Sequence, residues 1–389
     1  MAKWPLEAII KFLPYAVFIA TFDRAVVAPM LIGMAGDFRV DLQTITISAS
    51  AYYLAYGLAQ PLWGIVSDRI GRMATLRLAL VLAGVFDIVS VIPMDVELFI
   101  ASRAAAGAFM AGVFPAAMIF IGDTIDNRAR RQSAIAELQT GVAIGLTFGT
   151  VLGGIGIATI GWEAFFITTA VVCFGMAWFI RDFANPKPGP DRLKLGPSYR
   201  AVMTNGWAVL LFALVFIEAG ILLGAFSLVP AALERNGSSP AVAGLMTGGY
   251  GVAVLFTSFI VRRKAQSVPP HHFLFSGGAA ATVGFVLIAV HLSEVTVVIS
   301  VLFQGASWVL MHTTLQTWIT SVAPEARATA VSLFAGFMFL GNGGGIYLAG
   351  YLLTNSGSTW LFGLSGLCIA LFTVIAVITQ RRHYLGSSN

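Results

Sequence analysis

Four ionisable residues lie inside stretches of the sequence that are otherwise almost wholly apolar. Asp23 and Arg24 are adjacent near the middle of the first such stretch, Arg103 lies in the fourth, and Glu218 lies in the seventh. An acid removed from water is pushed towards its neutral form, and a nearby guanidinium pushes it towards its charged form. Such a carboxylate can take up and release a proton as its surroundings change. These residues therefore indicate reversible proton binding, with Asp23 as the first candidate and Glu218 as the second.

Each of these residues also has a purely structural interpretation. Asp23 and Arg24 point about 100° apart on a helix, so they do not face each other, and either can lock the first helix to a neighbour. Arg103 lies roughly 8 Å from the end of its helix. If that helix crosses a membrane, the side chain can instead reach the lipid headgroups. Asp87, in the third stretch, is expected simply to reach the outer interface. Charges at membrane depth nevertheless favour a functional site.

Polar and aromatic residues at helical spacing are candidates for contact with a small molecule. They are Tyr52, Tyr56 and Gln60 on the second stretch, Gln304, Trp308, His312 and Gln316 on the tenth, and Asn342 on the eleventh. Such stripes are also typical of packing between helices. His312 can titrate near neutral pH, although a single histidine is commonly a hydrogen-bonded structural group.

The composition is that of a membrane protein. The 389-residue chain is 58% hydrophobic and 11% charged, with a mean hydropathy of +0.85, whereas soluble domains carry about 25% charged residues. The net charge of +5 does not indicate nucleic-acid binding, because the basic residues cluster in short alternate loops. Cys173 and Cys368 lie in apolar stretches and cannot build a disulfide framework. Nothing resembles a nucleotide loop, a metal cluster or a nucleophile triad, so neither an enzyme activity nor a cofactor is expected.

The apolar stretches predict twelve membrane-spanning helices, and the first is expected to be retained because it lacks a cleavage site. Their predicted ranges are 12–35, 44–66, 74–92, 98–122, 133–157, 163–180, 206–230, 240–261, 272–292, 295–322, 326–353 and 358–378. Of the 23 Lys and Arg, all but Arg24, Arg39, Arg103 and Arg235 fall on one side when the N-terminus is placed inside. Both termini are therefore predicted to be cytoplasmic, in a multi-pass protein of the plasma (cytoplasmic) membrane.

The helices are arranged as six, a polar linker, and six more. This layout predicts an all-α membrane protein built from two related six-helix halves. The predicted domains are an N-terminal half at residues 1–181, a solvated cytoplasmic linker rich in proline at 182–205, and a C-terminal half at 206–389. Two acids at matching depths, Asp23 and Glu218, are expected at a cavity between the halves.

A charged loop, residues 64–73, joins the second and third predicted helices. Its Gly64, Asp68, Arg69, Gly71 and Arg72 can bring backbones close together and form a compact ion-pair network at the water interface. The pattern resembles the loop between helices 2 and 3 of the major facilitator superfamily, with Met73 in place of the last basic residue. The resemblance implies the major facilitator fold and a loop that stabilises one closed state. An ordinary positive loop is the alternative.

Two further motifs resemble the drug:proton antiporters of this superfamily. The fifth helix carries a smooth face of glycines, Gly141, Gly145, Gly149 and Gly153, followed by Gly154, with Gly156 off that face. Residues 145–154 resemble the family's G-x-x-x-G-P-x-x-G-G pattern, with Thr150 where the family has proline; close helix packing alone is the alternative. Residues 98–107, which contain Arg103, are similar to the pattern on the fourth helix, whose arginine is implicated in proton movement.

The resemblance implies a proton-coupled secondary transporter that works by alternating access, in the first place an exporter of small amphipathic or hydrophobic compounds. The Asp23–Arg24 pair also resembles proton-coupled organic-anion symporters and spinster-type lipid transporters. Uptake of an organic anion and transport of a lipid or lysolipid therefore stay open, as does a sensor on the same fold. The expected partners are a small-molecule substrate, protons and the lipid bilayer, with no nucleic acid, and the protein is expected to be a monomer.

Overall fold

The computed structural model describes residues 6–92, 95–183, 195–264 and 267–386. Over these residues the chain is helical and contains no strand. The long helices are α1 (Leu6–Phe38), α2 (Leu42–Ile70), α3 (Arg72–Ser90), α4 (Val96–Thr124), α5 (Arg128–Ile157), α6 (Glu163–Phe179), α7 (Gly206–Arg235), α8 (Pro240–Lys264), α9 (Pro270–Val290), α10 (Glu294–Val322), α11 (Arg327–Asn355) and α12 (Ser358–Gly386).

Eleven helices in the described part of the chain are long and apolar enough to cross a membrane. The remaining long helix, α2, has 29 residues, which is about 43 Å of helix and ample for a bilayer. It falls short in hydropathy because serine, threonine and glutamine side chains lie along it. The predicted all-α membrane fold is confirmed. Eleven of the twelve predicted spans are apolar enough on average to cross a membrane.

The chain divides into two compact units, Met1–Lys194 and Leu195–Asn389. Much of the predicted linker, at positions 184–194, lies outside the described residues, so the domain boundaries stay a prediction. The described part of this segment is partly helical. Leu195–Met203 forms a short helix in which Val202 is buried, and burial raises the pKa of Tyr199.

Three helices that were predicted as continuous are interrupted. In α1 the α-helix gives way to a 3₁₀ turn at Ala28–Met30, because Pro29 has no N–H to donate to the preceding turn. In α4 the α-helix breaks after Met110. In α7 it passes into a π turn at Gly220–Gly224. Asp23 and Glu218 lie just before the irregular segments of α1 and α7, and such segments are common at functional sites.

Helix pairs within each unit pack through matching backbone contacts. In the first unit a Cβ on Gly145 of α5 would lie 2.6 Å from the carbonyl oxygen of Phe18 of α1. In the second unit a Cβ on Gly341 of α11 would collide with the carbonyl oxygen of Phe216 of α7. In both units glycine is required because a helix backbone occupies the space of a side chain.

The same correspondence holds for another pair of helices. A Cβ on Gly107 of α4 would collide with the carbonyl oxygen of Tyr52 of α2, and one on Gly305 of α10 would lie 2.6 Å from that of Tyr250 of α8. Phe18 and Phe216, Tyr52 and Tyr250, and Gly107 and Gly305 are each 198 residues apart, whereas Gly145 and Gly341 are 196 apart. The two units therefore repeat one packing scheme.

Candidate functional site

A buried ion cluster joins three helices of the first unit. Arg103 on α4 donates from Nη2 to both carboxylate oxygens of Asp23 on α1, at 2.9 and 3.1 Å, and from Nη1 to Oδ1 of Asp87 on α3, at 2.6 Å. The three side chains are at most 1% exposed. Arg103 therefore points into the protein, which excludes the alternative in which it reaches the headgroups.

Aromatic rings complete the walls of this cluster. The guanidinium carbon of Arg103 lies 4.3 Å from the ring centroid of Phe166 on α6 and 5.0 Å from that of Tyr52 on α2. Both distances are within the range of cation–π attraction. The guanidinium is thus bonded to carboxylates at its edge and contacts aromatic rings. The Arg103 side chain is only 1% exposed.

The charges of this cluster do not cancel. Two carboxylates share one guanidinium, so the fully ionised cluster carries one excess negative charge, and one bound proton makes it neutral. Oδ2 of Asp87 is buried without a hydrogen-bond partner among the described residues. A proton can therefore settle on that oxygen without displacing the bond from Arg103 to Oδ1. Because burying an uncompensated charge is costly, the cluster is suited to exchanging one proton.

The sequence interpretation of Asp87 was wrong, and that of Asp23 was incomplete. Asp87 is fully buried and bonds to Arg103 rather than reaching an interface. Asp23 bonds to Arg103, while the guanidinium carbon of its neighbour Arg24 lies 5.9 Å from the ring centroid of Tyr56. Treating every acid within an apolar stretch as a candidate, wherever it lies along the helix, would have found Asp87.

A second buried pair lies in the second unit. Oε2 of Glu218 on α7 is 3.1 Å from Nδ1 of His312 on α10. The Glu218 side chain is fully buried, and its Oε1 has no described hydrogen-bond partner. The imidazole stacks on Trp308, with ring centroids 4.0 Å apart and planes 10° apart, and the ring centroid of Phe334 on α11 lies 5.5 Å from that of the imidazole. The sequence named both residues but did not pair them.

The other predicted substrate contacts fall in different environments. Tyr52 and Tyr56 are buried and stack on each other, and Gln60 is buried as well. In the second unit Gln304 is buried and donates to Ser300, Trp308 is half-buried, Asn342 is buried and Gln316 is exposed. Oδ1 of Asn342 and Oε1 of Gln60 and Gln304 are buried with no described partner. Their roles stay predictions.

The loop between α2 and α3 holds an ion network centred on Arg72. Its Nη1 is 2.5 Å from Oδ1 of Asp68, and its Nε is 3.0 Å from Oδ2 of Asp123 at the end of α4. Gly71 makes the turn with φ of +90°, a conformation that favours glycine. Arg69 is exposed, and Gly64 has open space at its Cβ position, so the expected close approach there is wrong. Asp123 was not among the residues chosen from the sequence.

The glycines of α5 lie against α1. A Cβ on Gly141, Gly149 or Gly153 would come within 2.5 to 2.8 Å of α1 atoms, and Gly154 is buried. Gly156 does not have the free space expected off this face, since a Cβ there would collide with the ring of Phe165. At the position where the antiporter pattern has proline, the hydroxyl of Thr150 donates to the carbonyl of Leu146, and α5 continues without a break.

Comparison with known proteins agrees with this architecture. The family model described as Major Facilitator Superfamily matches residues 15–239 and 212–389. The chain belongs to the Major Facilitator Superfamily. Among solved structures, a bacterial homologue of the human lysosomal transporter Spinster superimposes with a TM-score of 0.75 at 16% identity, covering 96% of both chains. A POT family transporter in complex with 5-aminolevulinic acid superimposes with a TM-score of 0.78 at 13% identity, again over 96% of both. At these identities the likeness shows the fold alone.

Several curated relatives within the superfamily are named as efflux proteins. The multidrug efflux protein YfmO of Bacillus subtilis is 22% identical over 96% of this chain and 93% of its own length. The multidrug efflux pump LfrA of Mycolicibacterium smegmatis is 23% identical over 81% of this chain and 74% of its own. The efflux pump dotC of Dothistroma septosporum is 27% identical over 63% of this chain, and the match covers only 40% of the length of dotC. The superfamily consists of transporters, so a transport function is expected rather than an enzymatic one.

Proposed function

We propose that this chain is a proton-coupled exporter of small amphipathic or hydrophobic compounds that works by alternating access. The observation that carries the proposal is the buried cluster of Asp23, Arg103 and Asp87, whose two carboxylates exceed its one cation. Such a cluster gains a proton where water reaches it from the proton-rich side and loses it on the other side. The names of two relatives that match over most of their length support efflux as the direction.

Proton binding changes the bonds that hold three helices together. With both acids ionised, Arg103 makes charge-assisted hydrogen bonds to α1 and α3. A proton on Asp87 replaces the ion pair to α3 with a weaker bond to a neutral acid, while the ion pair from Nη2 to the two oxygens of Asp23 persists. Arg103 is therefore held less strongly to α3, while its attraction to α1 is unchanged. Because a close-packed core has few alternative arrangements, this change can favour one arrangement of the helices over another.

Alternating access requires that this shift favour one conformation over another. A bound proton can change the conformational equilibrium only by as much as its affinity differs between the two states. We assign the second element of the cycle to the network of Asp68, Arg72 and Asp123, which ties the α2–α3 loop to the end of α4. Its bonds are made in the state described here and are broken, in our proposal, in the alternate one.

Transport in proteoliposomes under an imposed pH gradient tests the proposal, with the fluorescent cation ethidium as the probe. The parent is expected to accumulate ethidium against its gradient, in exchange for protons. Asp23→Asn and Asp87→Asn are each expected to lower gradient-driven accumulation sharply while allowing downhill movement. Asp95→Asn is the matched control, because Asp95 caps α4 outside the cluster and asparagine is an equally good cap.

Two results would contradict the proposal. Gradient-driven accumulation by both cluster variants at the parental level would remove the cluster from coupling. Accumulation of probe together with protons, rather than against them, would identify a symporter and would favour uptake of a substrate over export.

A further inference from the structure

The second unit contains a buried titratable pair that the coupling cluster of the first unit does not use. We propose that Glu218 and His312 form a second proton-binding site, so that each transport cycle carries two protons, one in each unit. This inference rests on the proposed proton-coupled function and extends it to the number of protons and to the charge moved per cycle.

The charge balance of the pair is the first argument. When Glu218 is ionised and His312 is neutral, Nδ1 of the imidazole donates to Oε2 and the pair carries one negative charge. A proton added to the imidazole gives an ion pair with no net charge. The fully buried carboxylate has no other described cation and keeps one oxygen without a partner. Because an uncompensated buried charge is costly, uptake of one proton stabilises the pair.

The surroundings of His312 provide the second argument. Besides its contact with Glu218, the imidazole makes ring contacts with Trp308 and Phe334, which are not titratable. An imidazolium at this place is compensated by the carboxylate and by cation–π attraction to the stacked indole. No arginine or lysine of the described residues neutralises the pair permanently, so its charge depends on the proton itself.

The two sites bind their protons by different chemistry. In the first unit the cation is an arginine that stays charged, so the exchanged proton must reside on a carboxylate. In the second unit the proton creates the cation, because a neutral imidazole becomes positively charged when it binds a proton. The two protons are therefore bound by independent groups, on helices that belong to different units.

Counting protons tests the second site without any substrate. The purified protein, reconstituted in lipid, is titrated between about pH 5 and 8, the range in which an ordinary histidine changes charge. The parent is compared with Glu218→Gln/His312→Gln and with Asp23→Asn/Asp87→Asn. Each double variant is expected to exchange one proton fewer than the parent. The control Gln304→Leu, which removes a buried polar group of α10 with no titratable proton, is expected to match the parent. An unchanged proton count in Glu218→Gln/His312→Gln would overturn the proposal and leave the pair as a fixed link between α7 and α10.

The charge moved per cycle gives a second test, with ethidium as a monovalent probe. Exchange of two protons for one monovalent cation moves one net charge, so a membrane potential alone should drive export by the parent. Exchange of one proton is electroneutral, so Glu218→Gln/His312→Gln should not respond to the potential. With the potential clamped at zero, the limiting accumulation should follow the square of the proton ratio in the parent and its first power in the variant.

The outcomes separate this inference from the proposed function. Parental export that is driven by a pH gradient but is indifferent to the potential would overturn the two-proton cycle and leave proton coupling intact. A parent that moves no ethidium under either gradient would contradict the proposed function, and the proton count would still decide whether the second site exists.

Discussion

The two units share a packing scheme and differ in their buried charges. Tyr52 and Gly107 in the first unit correspond to Tyr250 and Gly305 in the second, at a constant separation of 198 residues. At the same separation, the position of Arg103 is taken by Val301 in the second unit. Close approach of helices needs only a glycine and a carbonyl group, whereas a charge cluster needs several matched side chains. The scaffold has therefore been retained in both units while their chemistry has diverged.

The acids illustrate this divergence. At a separation of 198 residues, Glu218 corresponds to Ala20 rather than to Asp23, so the two carboxylates lie three residues apart in equivalent helices. Three residues is close to one helical turn, about 4.5 Å along the axis. Each acid reaches a partner on the fourth helix of its unit, α4 or α10. Carboxylates at similar positions therefore bond to an arginine, which stays charged, in the first unit and to a histidine, whose charge depends on a bound proton, in the second.

Removing Arg103 should give the largest difference between the two units, because it should destabilise the protein more than removing His312. Arg103→Met leaves two buried carboxylates without compensation, and loss of one partner of a buried ion pair typically costs about 3–5 kcal/mol. We expect a large fall in the midpoint of thermal unfolding of the purified protein. His312→Gln in the second unit leaves a single carboxylate that keeps an amide as a possible donor, so its loss should be smaller, about 1–3 kcal/mol.

Neutralising the acids should rescue the arginine variant. Asp23→Asn and Asp87→Asn, added to Arg103→Met, remove the uncompensated charge and should recover much of the unfolding midpoint. If Arg103→Met alone unfolds at the parental temperature, the cluster makes no large contribution to stability.

Glycine contacts should show that the packing scheme matters equally in both units. Gly149→Leu in α5 and Gly345→Leu in α11 both place a side chain where a helix backbone lies, and overpacking costs about 1–3 kcal/mol or more. Gly363→Leu in α12 is the control, because a Cβ there meets no atom within 4 Å. Unfolding midpoints should fall for the first two and stay near the parent for the third. Normal midpoints for both test variants would contradict the packing argument.

The loop network should show a difference in function rather than in stability. Asp68→Asn removes the charge that lies 2.5 Å from Arg72, and exposed or half-exposed pairs contribute only about 0–1 kcal/mol. Expression and unfolding should therefore change little, while ethidium transport should fall. Arg69→Gln, an exposed neighbour, should transport normally. Parental turnover by Asp68→Asn would remove the gating role from this loop.

Two helix caps give the smallest expected difference between the units. Asp41 accepts the N–H of Thr44 at the start of α2, and Ser293 forms a capping box with Thr296 at the start of α10. Replacing either cap by alanine should cost about 1 kcal/mol at neutral pH. The hydrogen bonds to Thr44 lower the pKa of Asp41, so its stabilisation is present above the ordinary aspartate pKa and is lost as the pH falls through the lowered value. The loss caused by Asp41→Ala should shrink in acid, and that caused by Ser293→Ala should not. Unfolding midpoints of both variants at neutral and acidic pH provide the check.

The fold could be predicted from the sequence because each span is a local property. Uninterrupted apolar runs and alternate basic loops can be recognised in the sequence without knowing which helices are in contact. The breaks in α1, α4 and α7 were missed because a membrane-length apolar run tolerates proline and glycine when neighbouring helices satisfy the freed backbone groups.

The candidate site could be predicted only in part because its partners are distant in sequence. Asp23, Arg103, Glu218 and His312 were chosen as unusual residues at membrane depth. That Arg103 bonds both Asp23 and Asp87, and that Glu218 meets His312, depends on which helices pack together. The glycine-to-carbonyl contacts were invisible for another reason, since a carbonyl group is present at every residue.

The separation between equivalent contacts also bears on the ancestry of the chain. It is 198 residues from α1 through α4 and 196 at the glycines of α5 and α11. If the chain arose by duplication of an ancestral six-helix gene, the net length change between the copies lies between Gly107 and Gly145 or their counterparts. That interval contains Asp123, the partner of Arg72. The stretch that supplies the anchor of the α2–α3 loop is therefore one in which the two copies differ in length.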